Sequence, residues 1–209
     1  MRLLTGLLLS TTSLAAMALE FTPGDILSQW DRHSFQGDTR YQRVEVDGQA
    51  ALHAVCNDAT ASGLFYREEI DLRETPVMEW RWRVDDTFRD IDETTRAGDD
   101  YPARIYVVEE HRVLRWRTRA VNYVWSSMQA AGNHWENAYA SQARMIAIRG
   151  PEDTGEGWCT ERRNVREDFQ RFHGRSPERI NAVAIMTDCD DTGQTAEAWY
   201  GEIRFLSED

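Results

Sequence analysis

From Val77 to Val84 the chain alternates without a break, with Met78, Trp80, Trp82 and Val84 on one side and Glu79, Arg81 and Arg83 on the other. Period-two alternation of this length is the pattern of a half-buried strand, because successive side chains leave opposite faces of a pleat. Two tryptophans on the apolar side oblige that strand to pack against a second layer. Other extended runs surround it. Residues 43–46 and 49–55 flank Asp47-Gly48, the favoured two-residue hairpin turn. Residues 63–70, 103–108, 120–125, 143–149, 158–161, 180–186 and 198–206 read as further strands. One segment reads as a helix: Asn164 caps it, Val165, Phe169 and Phe172 share a face, and Gly174 stops it. Many short strands at close spacing predict a mostly β, single-domain β-sandwich of jelly-roll type with one short satellite helix.

The first residues predict export. Arg2 supplies a positive start, residues 3–15 a short apolar core, and Ala16-Met17-Ala18 the small residues of a cleavage site before Leu19. The domain assignment is a signal peptide over 1–18 and one sandwich domain over 19–209. The apolar core is too short for the roughly 20 residues that span a bilayer, so no transmembrane anchor is expected. The first cysteine, Cys56, lies too far downstream to carry a lipid. The expected location is periplasmic or secreted. A domain of this length buries about 70% of its unfolded-chain surface.

The formal net charge is -12, with 36 acidic against 24 cationic residues, and losing Arg2 makes it -13 (23 minus 36). That balance argues against nucleic-acid and anionic-membrane partners. Every cation is an arginine. Base composition or a saline habitat accounts for that, and so does a use of planar guanidinium forks for carboxylates or sulfates. Cys56, Cys159 and Cys189 predict one disulfide and one free thiol, with all three pairings open. None has the spacing of a metal site.

The segment Ala97-Gly98-Asp99-Asp100-Tyr101-Pro102-Ala103-Arg104-Ile105-Tyr106-Val107 resembles the bacterial domain-of-unknown-function family 3047. The resemblance continues in Glu79-Trp80-Arg81-Trp82-Arg83-Val84, Asn122-Tyr123-Val124-Trp125 and Glu161-Arg162-Arg163-Asn164-Val165. It ends in the run from Ala184 to Gly193 and in Ala198-Trp199-Tyr200-Gly201-Glu202-Ile203. It covers nearly the whole chain after residue 18, supports the fold and implies no settled activity. Cys159 and Cys189 depart from the family pattern, implying a disulfide particular to this protein. Asp191 stands where the pattern has asparagine.

Three groups of residues carry chemistry. Asp188-Cys189-Asp190-Asp191-Thr192-Gly193 places oxygens at alternate positions before a glycine, as short calcium-wrapping loops do, and also as ordinary Asp/Gly turns do. It is no EF-hand, since the twelfth position is Trp199. If the two acidic loops meet, Asp99, Asp100, Asp188, Asp190 and Asp191 form a calcium set. The alternative is a structural ion pair between Asp100 and Arg104. Arg81, Arg83, Arg104, Tyr106 and Tyr200 form a candidate ligand groove suited to an acidic glycan. Trp80, Trp82 and Trp199 read as core, whereas Trp125, Tyr106, Tyr123, Tyr139 and Tyr200 remain free to bind. A catalytic set for a lyase or hydrolase on an acidic polysaccharide would use Arg104, His134 and Tyr139, or Asp99 and Asp100. The reading adopted is a non-catalytic recognition module for a carbohydrate or other envelope component. A third reading is a protein-interaction subunit whose polar face around Arg81 and Arg83 meets a protein partner.

Overall fold

The computed structural model describes residues 18–208 apart from Arg112; the expected leader, but for Ala18, lies outside the described residues. In chain order the elements are β1 (Leu19–Phe21), α1 (Pro23–Gln29), β2 (Asp31–Gln36), β3 (Arg40–Val46), β4 (Gln49–Cys56), β5 (Ala61–Tyr66), β6 (Ile70–Asp71) and β7 (Val77–Arg83). They continue with β8 (Ala103–Glu109), β9 (Arg119–Trp125), β10 (His134–Glu136), β11 (Ala143–Arg149), β12 (Cys159–Asn164), α2 (Val165–His173), β13 (Arg179–Ile180), β14 (Ala182–Asp188) and β15 (Ala196–Leu206). Two sheets face each other. The first runs β12-β7-β15-β4-β3 with β1 beside β15, and the second runs β10-β11-β9-β8-β14-β5-β2. All pairs are antiparallel except β9 with β11, so the architecture is the expected β-sandwich of jelly-roll type.

The alternation from Val77 to Val84 does what it predicts. Met78, Trp80, Trp82 and Val84 are fully buried and meet the inward face of β9. Trp80 lies 5.2 Å from Tyr123 and Trp82 lies 5.7 Å from Trp125, ring centre to ring centre. Each such aromatic contributes roughly 1.5–3 kcal/mol through burial alone. Tyr123 and Trp125, expected to be free, are therefore core. The Asp47-Gly48 turn has φ of +55° and +75°, the left-handed pair that a tight hairpin between β3 and β4 requires.

Trp199 departs from the expectation that it packs inside with Ile203 and Phe205. The pairing of β15 with β7 shifts register between Tyr200 and Ile203, so that Gly201 and Glu202 together oppose Arg81. The bulge reverses the side-chain sense along β15. Tyr200, Ile203 and Phe205 point inward, while Trp199 lies outside between His53, stacked at 4.9 Å, and Arg83 at 5.3 Å. A Cβ at Gly201 would approach Arg81 Cβ to 2.9 Å, so the bulge needs glycine.

There are two helices among the described residues rather than one. Helix α2 begins at Asn164, whose side chain accepts from Glu167 N–H, and ends at Gly174 with φ +68°. Helix α1 is capped by Thr22 and Asp25, each accepting the other's backbone N–H, with Pro23 in the first turn. Its seven residues are too few for a periodic apolar pattern. Cys56 and Cys189 form the disulfide, joining the end of β4 in one sheet to the turn after β14 in the other. Cys159 is free and buried.

Candidate functional site

The inward face of the second sheet is apolar, and its outward face is not. In β8, Ala103, Ile105 and Val107 enter the core, which sends Arg104 and Tyr106 outward. Asn122 of β9 and Met186 and Asp188 of β14 point the same way, beside Arg104 and Tyr106 in the sheet. The edge strand of the sheet and two turns wall this patch. Phe35 and Gln36 come from β2, Asn137 and Tyr139 from the turn after β10, and Asp190 and Asp191 from the turn after β14. The resulting pocket has a volume of about 560 Å³.

The loop between β7 and β8 is anchored, not a free acidic stretch. Phe88 and Ile91 pack on the Cys56–Cys189 disulfide. Tyr101 joins Val124, Met145 and Trp135 in a small cluster beside the pocket. Glu93 is fully buried, accepting from the Ser126 hydroxyl and from Ser127 N–H. Burial pushes its carboxyl above the ordinary value.

The two acidic loops do meet. Asp100 accepts the backbone N–H groups of Asp191 and Thr192, at 3.3 and 2.7 Å. Carboxylate oxygens of Asp100, Asp188 and Asp190 all lie within 4.8 Å of one another. Asp191 and Asp99 take other partners. Asp191 accepts from the Tyr139 hydroxyl at 2.5 Å. Both oxygens of Asp99 accept from Asn137 Nδ2, at 2.9 and 2.7 Å.

The ion pair expected between Arg104 and Asp100 is instead Arg104 with Asp188, both nearly fully buried. Asp188 also accepts Tyr101 N–H at 3.2 Å. The guanidinium lies between the rings of Tyr101 and Tyr106, at 4.7 and 5.1 Å from their centres. Its Nε has no hydrogen-bond partner in the protein, nor has Asn122 Oδ1 on the neighbouring strand. Arg104 is 4% exposed and Asn122 1% exposed. A buried donor and a buried acceptor are thus left without a partner among the residues of the pocket floor.

Burial pushes the carboxyl of Asp99 upward. Asp190 is raised by burial and then by the negative charges of Asp100 and Asp191. The Tyr139 phenol is pushed up to about 12, chiefly by its hydrogen bond to Asp191, and stays protonated at neutral pH.

Other expected members of the site fall elsewhere. Arg81 and Arg83 occupy the outer face of the opposite sheet, paired with Glu202 and with Asp47 and Asp85, so they share no groove with Arg104. Tyr200 is in the core, where its hydroxyl donates to Met186 O at 2.7 Å and accepts Arg104 N–H at 3.2 Å. It positions β8 and β14 beneath the pocket without lining it. His134 packs at a tilt against Phe172, ring centres 5.1 Å apart, and lies outside the pocket, apart from Arg104 and Tyr139. The pocket does unite Arg104, Tyr106, Tyr139, Asp99, Asp188, Asp190 and Asp191. Sequence reasoning missed Asn122, Asn137, Phe35 and Met186. Asn122 had a signal, as the one polar residue within the apolar run of β9.

The fold is similar to several solved structures. One is the family 11 carbohydrate-binding module of cellulosomal cellulase Lic26A-Cel5E of Clostridium thermocellum (9% identity, 93% of this chain and 96% of that one, TM-score 0.48). Another is the K1 cleaved adhesin domain of Lys-gingipain from Porphyromonas gingivalis W83 (10% identity, 92% and 99% covered, TM-score 0.44). A third is the glycoside hydrolase domain of Endo-D from Streptococcus pneumoniae R6 (8% identity, TM-score 0.44), where 86% of this chain spans 22% of the other. No curated protein matches the sequence. A family model described as protein of unknown function (DUF3047) matches residues 28–204, and the chain belongs to that family.

Proposed function

We propose that this protein is an exported, non-catalytic recognition module that binds a carbohydrate in the pocket on the outer face of the second sheet. The observation that carries the reading is the pair of buried, unpartnered groups in the floor, Arg104 Nε and Asn122 Oδ1, which a ligand reaches by a small shift of the side chains above them. One offers a hydrogen and the other accepts one, and a sugar hydroxyl answers both because it donates and accepts. Tyr106, Phe35 and Tyr139 supply aromatic wall, as polyhydroxylated ligands with apolar ring faces require. The Cys56–Cys189 disulfide supports export, since such bonds persist in oxidising compartments.

Neutral sugars fit better than the acidic glycans suggested by the arginine content. Arg104 is the pocket's only cation and is already paired, while Asp99, Asp190 and Asp191 add negative charge around it. Recognition is favoured over hydrolysis or elimination. Asp99 is engaged as an acceptor at both oxygens, Tyr139 keeps its proton, and His134 lies elsewhere. Calcium enters the same reading as a ligand of Asp100, Asp188 and Asp190, and would require Asp188 to release Arg104.

Thermal unfolding of the purified domain against neutral, uronic and sulfated oligosaccharides tests the proposal. A ligand at a hundred times its Kd stabilises by about 2.7 kcal/mol, so a neutral binder raises the melting temperature measurably. The shift should fall by about half or more in Asn122→Ala at the same ligand concentration. No shift with any glycan contradicts the module, and a rise with calcium that chelator reverses assigns the metal.

A further inference from the structure

The loop of residues 110–118 joins the far end of β8 to β9. Residues 111–119 hold four arginines and a histidine with no acidic residue, in a chain of net charge -12. Val113 and Trp116, at 82% and 65% exposed, are the most exposed large apolar side chains among the described residues. We propose that this loop docks the protein on an anionic lipid surface.

Hydrogen bonds hold the described residues around Trp116. Arg117 N–H bonds Leu114 O at 2.8 Å, Leu114 N–H bonds His111 Nδ1 at 3.0 Å, and His111 N–H bonds Thr118 Oγ1 at 3.2 Å. The Arg119 guanidinium donates to Trp116 O at 2.9 Å. The two nearest carboxylates are already matched, Glu109 by Arg175 at 2.6 Å and Glu110 by Arg67 at 3.7 Å. Burial holds His173 below the ordinary histidine value, and the neighbouring charges of Arg119, Arg144 and Arg175 act in the same direction.

The net charge of the whole chain repels an anionic surface at long range, and the contact proposed is one that the loop makes once it is close. Screening at physiological salt limits exposed charges to about 8 Å, so a surface meeting the loop feels the loop. Arginines suit lipid phosphates, and a tryptophan beside an exposed valine suits the boundary between headgroups and acyl chains. A soluble polyanion would engage the arginines but give Val113 no apolar phase. No described helix is long and apolar enough to cross a membrane, so the contact proposed is peripheral. Along β8, at roughly 3.3 Å per residue, Tyr106 of the pocket stands about 10 Å from Glu109, where the loop begins.

Cosedimentation with vesicles of phosphatidylcholine, alone or mixed with phosphatidylglycerol, tests the inference using the purified domain and its Arg117→Ser and Trp116→Ala variants. The protein should pellet with the anionic vesicles only, less so as salt rises. Arg117→Ser should weaken binding about fivefold, and Trp116→Ala should also weaken it. Unchanged melting temperatures confirm that these exposed substitutions leave the fold intact. Failure to pellet with anionic vesicles at physiological salt, or equal binding by the variants, overturns the proposal. So does retention on heparin without vesicle binding.

Discussion

Arg104 is the residue on which the pocket turns. Its charge is buried with Asp188, sandwiched by two tyrosines, and still leaves Nε without a partner. Removing one member of a buried pair strands the other charge, which costs about 3–5 kcal/mol. Arg104→Met should therefore lower unfolding free energy by that amount in urea titration, while replacing Asp188 by Leu as well should recover much of it. A single-variant loss under about 1 kcal/mol would mean that the pair is effectively solvated. Glu93 sets a pH dependence. Its folded-state proton is held above the ordinary carboxylate range of 4.5, so the folded chain binds the extra proton in that window and stability falls as pH rises through it. Glu93→Gln should flatten that slope in melts taken from pH 4.5 upward; an unchanged slope would place the titration elsewhere. At this scale the sequence announced Asp99, Arg104, Tyr106, Asp188 and Asp190 through residue type and loop setting. It could not announce Asn137, whose role depends on a turn reaching back to Asp99.

Strands carry their own sequence signature, and most of both sheets was legible for that reason. Alternation in β7, apolar runs in β8, β9 and β14, and Asp-Gly between β3 and β4 each fix a local geometry. What was lost is what depends on a neighbour. The register shift opposite Arg81 moved Trp199 outward, and nothing in the alternation of β15 itself reveals it. Strand β2 is exposed throughout and lacks an apolar face to recognise. The grouping of Arg81 and Arg83 with Arg104 failed because outward residues of two sheets in a sandwich face opposite ways. The disulfide is the element-level tie between those sheets, closing a separation of 133 residues. Replacing Cys56 and Cys189 by Ala should cost about 2–5 kcal/mol in denaturant titration and loosen the loop packed on it through Phe88. A loss below that range would show that the sheets hold together by core packing alone.

As a whole, the molecule is a sandwich whose shared core is spent on stability and whose second sheet turns a polar face outward. The pocket lies over the first half of β8, and the basic loop follows its far end. Such an arrangement suits a module that rests on one surface while engaging a ligand at another. The central claim is that the floor formed by Arg104, Tyr106 and Asn122 receives a neutral sugar. Isothermal titration of the purified domain with neutral oligosaccharides, repeated with Asn122→Ala and Tyr106→Ala, tests it most directly. The account predicts saturable binding that falls at least about tenfold in each variant, corresponding to roughly 1.4 kcal/mol, with fold stability retained. Binding that both variants preserve, or heat from no oligosaccharide at any concentration reached, would contradict it.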